Sequence, residues 1–349
     1  MSARAGTYSS VMDMVDLTPV EPSSGVPPWR DPRWLAEAAA WIEEQLARAG
    51  LSRSGKPALR ARMWSVVARV PVGEHGAAWF KANPPGSAFE PALIAALAQW
   101  APDLVPPLIA VDTERAWTLT MDAGSRLGEK LERDPDPAHL APLLHRYANL
   151  QLDLSLRAEE LFSIGLPDLR ASALPDQLQA LLAGHAVVRA LGEKRHDELS
   201  EFAAQVRVCC KELNGFGIPP SLDHGDLHPN NVFGSGESAL PFDWGDASLT
   251  HPFSTLLILL RSSKQFFDSA GLAKLRCAYL EPWADKGFSV ADLERSTDLA
   301  LRLAPISRAM AWGRVFPCFA GVEEPNVNAA RWLARLLAAD PLGDHDDAA

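Results

Sequence analysis

The stretch SLDHGDLHPNNVFGSGESALPFDWG, Ser221–Gly245, sets two aspartates, two histidines and two asparagines in one polar run, then two short apolar segments around GSGE. A plain surface loop has no need of that order. NVF and ALPFD read as the arms of a hairpin turning through GSGE. Folding back in this way brings Asn231 and Asp243 to neighbouring strand ends. Two oxygen-bearing side chains so placed can share a hard cation such as Mg2+ and leave coordination places for water and phosphate oxygens. Asp226, at the tip of the preceding loop, is placed to accept the proton of a hydroxyl substrate. Phosphoryl transfer requires this division of labour: one group orients the nucleophile and others hold metal and phosphates.

HGDLHPNN fits the H-x-D-x-x-x-x-N pattern of a kinase-fold catalytic loop, and FDWG is similar to the D-F-G metal-binding element. As H-G-D-x-H-x-x-N followed by D-W, the combination resembles the aminoglycoside phosphotransferase and choline kinase-like family, from about Trp64 to the C-terminal helices. That resemblance implies an α+β, two-lobed protein-kinase-like fold, with a small, mostly β N-lobe carrying one helix and a larger, mostly helical C-lobe. It implies Asp226 as catalytic base, Asn231 and Asp243 as Mg2+ ligands, and ATP or GTP as phosphoryl donor. His224 reads as a structural histidine of the loop rather than a base. His228 reads equally as a loop brace and as a substrate contact.

A bound nucleotide calls for a lysine from the small lobe. AAWFKAN supplies Lys81, the only lysine between Lys56 and Lys130. Glu90 is the only acidic residue between Lys81 and Asp103, so it is the expected carboxylate partner. Ser87-x-x-Glu90 also fits a capping box, a competing role. Pro91 places Glu90 in the first helical turn. No G-x-G-x-x-G precedes the lysine and no P-loop pattern occurs anywhere. The corresponding turn is RARMWS, Arg60–Ser65, with Ser65 and backbone amides near the phosphates. LTMDAG is the expected connection between lobes, where Thr120, Met121 and Asp122 present backbone groups to the purine edge; side chains there do not separate ATP from GTP.

At 349 residues, 47% apolar and 22% charged, the chain suits a soluble globular protein of two lobes. The reading divides it into a flexible N-terminal tail (1–25), a nucleotide-binding N-lobe with a leading helix (26–121), and a C-lobe with catalytic loop and acceptor pocket (122–349). A net charge of −11 argues against nucleic-acid or membrane partners and tolerates a cationic acceptor. None of the four cysteines falls in a C-x-x-C pair, there is no apolar leader segment, and the longest apolar run, STLLILL, cannot span a bilayer. A cytoplasmic enzyme is the expectation.

Only six residues, DASLTH, separate Gly245 from Pro252, and no A-P-E follows. A peptide-docking platform is therefore not expected, which favours a small-molecule acceptor such as an aminoglycoside, an amino sugar or a choline-like alcohol. The acceptor pocket would draw on the C-terminal helices. There Trp312, Phe316, Phe319 and Trp332 read as core more than as ligand platform, and Glu323 and Glu324 as a solvated loop more than as an amine site. Two other readings stand: a non-catalytic nucleotide-binding protein of kinase fold, and a metallohydrolase built on His224, Asp226 and His228. The second lacks a further histidine cluster to complete a zinc site.

Overall fold

A helix laid across five antiparallel strands forms the first lobe. The structure, a computed structural model, describes residues 29, 31–62, 64–315 and 324–343. The 1–25 tail, Phe316, Cys318, Phe319 and Glu323 lie outside the described residues, as does the side chain of Glu324. Helix α1 (Pro32–Arg48) starts where the sequence signals it: the Asp31 side chain accepts the Arg33 N–H at 2.8 Å, with Pro32 in the first turn. Strands β1 (Ala58–Arg62), β2 (Ser65–Pro71), β3 (Ala77–Ala82), β4 (Leu108–Asp112) and β5 (Trp117–Met121) order as β1-β2-β3-β5-β4.

Period-two alternation decides the faces of this sheet. Val66, Ala68 and Val70 of β2 are buried, and so is Phe80 of β3. Against them α1 lays Trp34 and Trp41, which meet Phe80 and Trp117 at ring-centroid distances of 5.6–6.5 Å. The opposite face carries Lys81, paired in register with Val67. RARMWS is not wholly a turn. Arg62 pairs with Ser65, so β1 runs through Arg60–Arg62 and β2 already begins at Ser65. Leu59 and Ala61, packed on the sheet core, are what hold β1 in place.

Helix α2 (Glu90–Trp100) connects β3 to β4. Phe89, just before it, and its residues Leu93, Ile94 and Leu97 belong to the apolar core of the second lobe, with Tyr147, Trp244 and Phe253. The second lobe is mostly helical: α3 (Leu127–Leu131), α4 (Ala141–Leu154), α5 (Ala158–Ile164), α6 (Leu174–Ala183), α7 (His185–Leu191), α8 (Glu193–Gly215), α9 (Leu256–Ser263), α10 (Ser269–Asp285), α11 (Val290–Val315) and α12 (Glu324–Ala334). Two small sheets interrupt it. Strands β6 (Asp168–Leu169), β7 (Ser221–Asp223) and β10 (Ser248–Thr250) form one, in the order β6-β10-β7. The other is the hairpin read from the sequence, β8 (Val232–Phe233) with β9 (Leu240–Pro241), closed by stacked Phe233 and Phe242 rings 4.0 Å apart. Strand β10 lies inside DASLTH, so the segment after Gly245 is drawn straight back onto β7. No described helix is long and apolar enough to cross a membrane.

Candidate active site

Strand β7 delivers the chain into the HGD loop. Gly225 has φ +76°, and a Cβ there would lie 2.4 Å from the Asp246 carbonyl oxygen, so the turn requires glycine. His224 is fully buried and its ring is used on both edges. Nε2 lies 2.9 Å from the Phe242 carbonyl oxygen, Nδ1 accepts the Asp226 N–H at 3.3 Å, and the ring sits 4.6 Å from that of Trp244. Burial pushes its pKa down, which matches a neutral imidazole donating through Nε2. His224 thus braces the loop. A metallohydrolase set built on it would lack this ligand.

Asp226 follows. The Asn231 side-chain N–H donates to the Asp226 carbonyl oxygen at 3.0 Å and to Oδ2 at 3.3 Å. His228 Nδ1 accepts the Asn230 N–H at 3.2 Å, which caps the turn of residues 229–231, and its Nε2 lies 3.5 Å from Asp226 Oδ2. Burial opposes the charge on Asp226, but Arg308 and His228 outweigh it and hold the carboxyl well below the usual carboxylate range.

The hairpin does what its sequence promises. The Phe242 N–H donates to the Asn231 carbonyl oxygen at 3.0 Å, so Asp243 emerges beside Asn231. Asp243 adopts φ 67°, ψ 64°, an uncommon left-handed conformation for a non-glycine residue. From there it meets Lys81 Nζ at 2.5 Å, and the same Nζ lies 2.6 Å from Glu90 Oε2. Burial alone would lower the Lys81 pKa; Asp243 and Glu90 outweigh it and hold the ammonium above the ordinary lysine range. Glu90 opens α2 and its other oxygen accepts the Trp244 N–H at 2.8 Å. One ion-paired chain therefore joins β3, α2 and the DWG turn.

Ser87 does not form the capping box. No side chain caps α2; the buried Ser87 hydroxyl donates instead to the Gly245 carbonyl oxygen at 2.8 Å. Ser65 begins β2 two residues before Val67, the register partner of Lys81, and so shares the Lys81 face of the sheet. Thr120 and Met121 end β5, opposite Trp79 and Ala78. The N–H groups of Met121 and Asp122 are taken by the Pro107 and Ala77 carbonyl oxygens, both at 2.8 Å. Asp122 accepts from the Gly124 N–H at 3.1 Å and lies 3.6 Å from Arg69. Two of the expected purine-facing donors are therefore committed to the lobe itself.

Sequence reasoning missed three residues here. Arg308 of α11 lies 3.2 Å from Asp226 Oδ1 and donates to Asp246 Oδ2 at 2.6 Å. Arg314, on the same helix, donates to the carbonyl oxygens of Gly86 at 2.8 Å and Gly245 at 3.3 Å. The signal was present: two arginines six residues apart in the otherwise apolar LAPISRAMAWGRV, and an aspartate directly after DWG.

No group of three or more His, Cys, Asp or Glu among the described residues forms a metal cage. Asn231 and Asp243 are another kind of donor set. The Asn231 amide nitrogen is committed to Asp226, which leaves its Oδ1, and the Asp243 side chain is 51% exposed. Two hard oxygen donors fit Mg2+, which keeps most of its coordination for water and substrate oxygens.

No family model matches the chain, and no curated protein matches its sequence. Solved structures do match. An ethanolamine kinase from Plasmodium vivax aligns over 80% of this chain and 82% of its own, at 10% identity and a TM-score of 0.56. The GDP and kanamycin complex of APH(2″)-IIia aligns over 86% and 98%, at 16% identity and a TM-score of 0.56. Choline kinase LicA from Streptococcus pneumoniae aligns over 87% and 100%, at 13% identity and a TM-score of 0.53. The chain has the two-lobed, protein-kinase-like architecture of the aminoglycoside phosphotransferase and choline kinase-like structures.

Proposed function

We propose that the protein is an ATP- or GTP-dependent phosphotransferase that phosphorylates a hydroxyl group of a small molecule. The observation that carries the reading is the ion-paired chain Glu90–Lys81–Asp243, set across the two lobes beside Asp226 and Asn231. In this reading the N-lobe, 26–121, binds nucleotide. Lys81 meets the phosphates, Ser65 and the β1–β2 turn cover them, and Thr120–Asp122 border the purine through their carbonyl groups. The C-lobe, 122–349, holds the acceptor, and Asp226 orients its hydroxyl and takes the proton. Mg2+, held by Asn231 and Asp243, supplies positive charge against the phosphates.

Lys81 is ion-paired with Glu90 and Asp243, and Asn231 donates to Asp226, a grouping that favours an enzyme over a non-catalytic nucleotide binder. The return of β10 onto β7 directly after Asp246 leaves no long segment for docking a peptide, which favours a small acceptor. The neighbouring structures include ethanolamine and choline kinases and a kanamycin complex. Amino alcohols and aminoglycosides are therefore the first acceptor classes to try, and the net charge of −11 suits a cation. Cys209, Cys210 and Cys277 are free thiols, in keeping with a reducing cytoplasm.

The test is release of ADP or GDP by purified protein with Mg2+, against aminoglycosides, amino sugars, choline-like alcohols and macrolides. Acceptor-dependent and metal-dependent release is expected. Nucleotide binding without release under any acceptor would favour the non-catalytic alternative, and neither binding nor release would overturn the reading.

A further inference from the structure

Helix α11 passes behind the catalytic loop and the DWG turn, and it sends an arginine to each. Arg308 is the more deeply committed, at 8% exposure. Its Nη1 donates to the Gly225 carbonyl oxygen and to Asp246 Oδ2, both at 2.6 Å, while Nη2 lies 3.2 Å from Asp226 Oδ1. Nε has no hydrogen-bond partner, and Arg308 lines a small cavity, about 10 Å³, together with Asp223, Asp246 and Ser307. That is room for about one water. A guanidinium whose fork is divided in this way is fixed in its plane.

The two oxygens of Asp226 are not equivalent. Oδ1 is held by Arg308, whereas Oδ2 has only the long approaches of Asn231 at 3.3 Å and His228 at 3.5 Å. Oδ2 is the oxygen that an incoming hydroxyl can claim. We propose that Arg308 is a positioning residue for phosphoryl transfer, fixing Asp226 through Oδ1 so that Oδ2 is presented to the acceptor. The proposal rests on the phosphotransferase reading. In the step concerned, the acceptor oxygen bonds to the γ-phosphorus as the bond from that phosphorus to the β–γ bridging oxygen breaks. The nucleoside diphosphate leaves, and the hydroxyl proton passes to Oδ2.

A tie between Gly225 and Asp246 would also explain a buried arginine, so the test must separate holding the loop from aiming the aspartate. A double-mutant cycle does so, with turnover measured on the acceptor found in the panel, or on water in slow nucleotide hydrolysis if no acceptor is found. Arg308→Met should lower kcat about 10²-fold, the scale of a misplaced reacting group, and leave nucleotide KM within about three-fold. Arg308→Lys, which keeps the charge but not the fork, should recover about ten-fold of that. In an Asp226→Asn background, adding Arg308→Met should cost no more than about two-fold, because the group it positions is already gone.

An equal loss in both backgrounds would make Arg308 a structural tie, and an unchanged kcat in folded Arg308→Met would also overturn the proposal. Should Arg308→Met not fold, the same cycle run with Arg308→Lys decides between these outcomes. Turnover by the wild-type protein with a failed cycle removes only the role of Arg308. A wild-type protein inert with every acceptor and with water removes the phosphotransferase reading, and this role with it.

Discussion

Two cations in this cleft are each gripped by two carboxylates, and the two grips are built differently. Lys81 sits between Glu90 and Asp243 and joins the lobes; Arg308 sits between Asp226 and Asp246 within the C-lobe. On the lysine side, buried Glu90 is the fixed anchor, while the Asp243 side chain is 51% exposed. An ammonium is a compact charge with three rotatable donors, so Lys81 can pass from Asp243 to a phosphate without leaving Glu90. On the arginine side the planar fork is divided among Gly225, Asp246 and Asp226, and none of these is readily surrendered. The Lys81 grip, on the proposed nucleotide side, is thus arranged to exchange partners, and the Arg308 grip, on the proposed acceptor side, to keep them.

The sharpest way to break that contrast is to remove its exchangeable partner. Asp243→Ala should abolish metal-dependent turnover, a loss of about 10³-fold or more, since its carboxylate is half of the expected Mg2+ donor pair. The fold should survive, because Asp243 is exposed and Lys81 keeps Glu90. Unchanged turnover in a folded variant would end the kinase reading. Next comes the partner on the other side. Asp226→Asn should lose about 10²- to 10⁴-fold in turnover, the range of a positioned acid–base group, with nucleotide affinity nearly normal by calorimetry. An amide preserves the shape of the loop but takes no proton. Lost nucleotide affinity with turnover reduced in proportion would make Asp226 a scaffold residue.

One half of the lysine grip, Lys81 with Glu90, was legible in the sequence; its Asp243 half and the arginine grip were not, for a physical reason. Asn231 and Asp243 stand on the arms of one hairpin, whose local geometry brings them together, whereas Lys81 meets Asp243 across 162 positions of chain. Glu90 was fixed by being the only acid within reach. Arg308 approaches Asp226 from 82 positions away in the chain, on a helix whose place is set by packing of the whole C-lobe core. Local pattern does not carry that information. The same limit explains Ser87: its spacing to Glu90 fits a cap, but tertiary packing offered its hydroxyl the Gly245 carbonyl instead. It also explains β10, whose three residues form a strand only because β7 is there to receive them.

A smaller effect comes from the centre of the lysine grip. Lys81→Ala should slow turnover about 10²-fold through the lost charge-assisted phosphate contact, and acceptor KM should hardly move. It should also destabilise the protein, because Glu90 stays buried without its cation. The cost should be roughly 2 kcal/mol, below the ~3–5 expected of a fully buried pair, since Lys81 is 20% exposed. Thermal melts of Lys81→Ala and of Lys81→Ala with Glu90→Gln separate the two contributions. The second substitution should restore stability but not activity. A response confined to acceptor KM would show that Lys81 serves the wrong half of the cleft.

The smallest effect sharpens the comparison most finely, because it asks whether the fixed side of the lysine grip extends to the DWG turn. Ser87→Ala removes the 2.8 Å bond to the Gly245 carbonyl oxygen and leaves that oxygen with only the 3.3 Å approach of Arg314. A neutral hydrogen bond of this kind contributes about 1 kcal/mol net, equivalent to about five-fold in an equilibrium. If Ser87 ties the α2 approach to the DWG turn, part of that loss should appear as looser ordering of Asp243. Nucleotide KM should then rise by about two- to five-fold, together with a small fall in melting temperature. If the Ser87 bond only held the two segments together without ordering Asp243, the melting temperature would fall and the nucleotide titration would stay unchanged. Fluorescence melts and nucleotide titrations on one preparation distinguish these outcomes, and the Arg314 contact gives the control. Arg314→Met combined with Ser87→Ala should cost more than the sum of the two alone, since each partly covers for the other at the Gly245 oxygen.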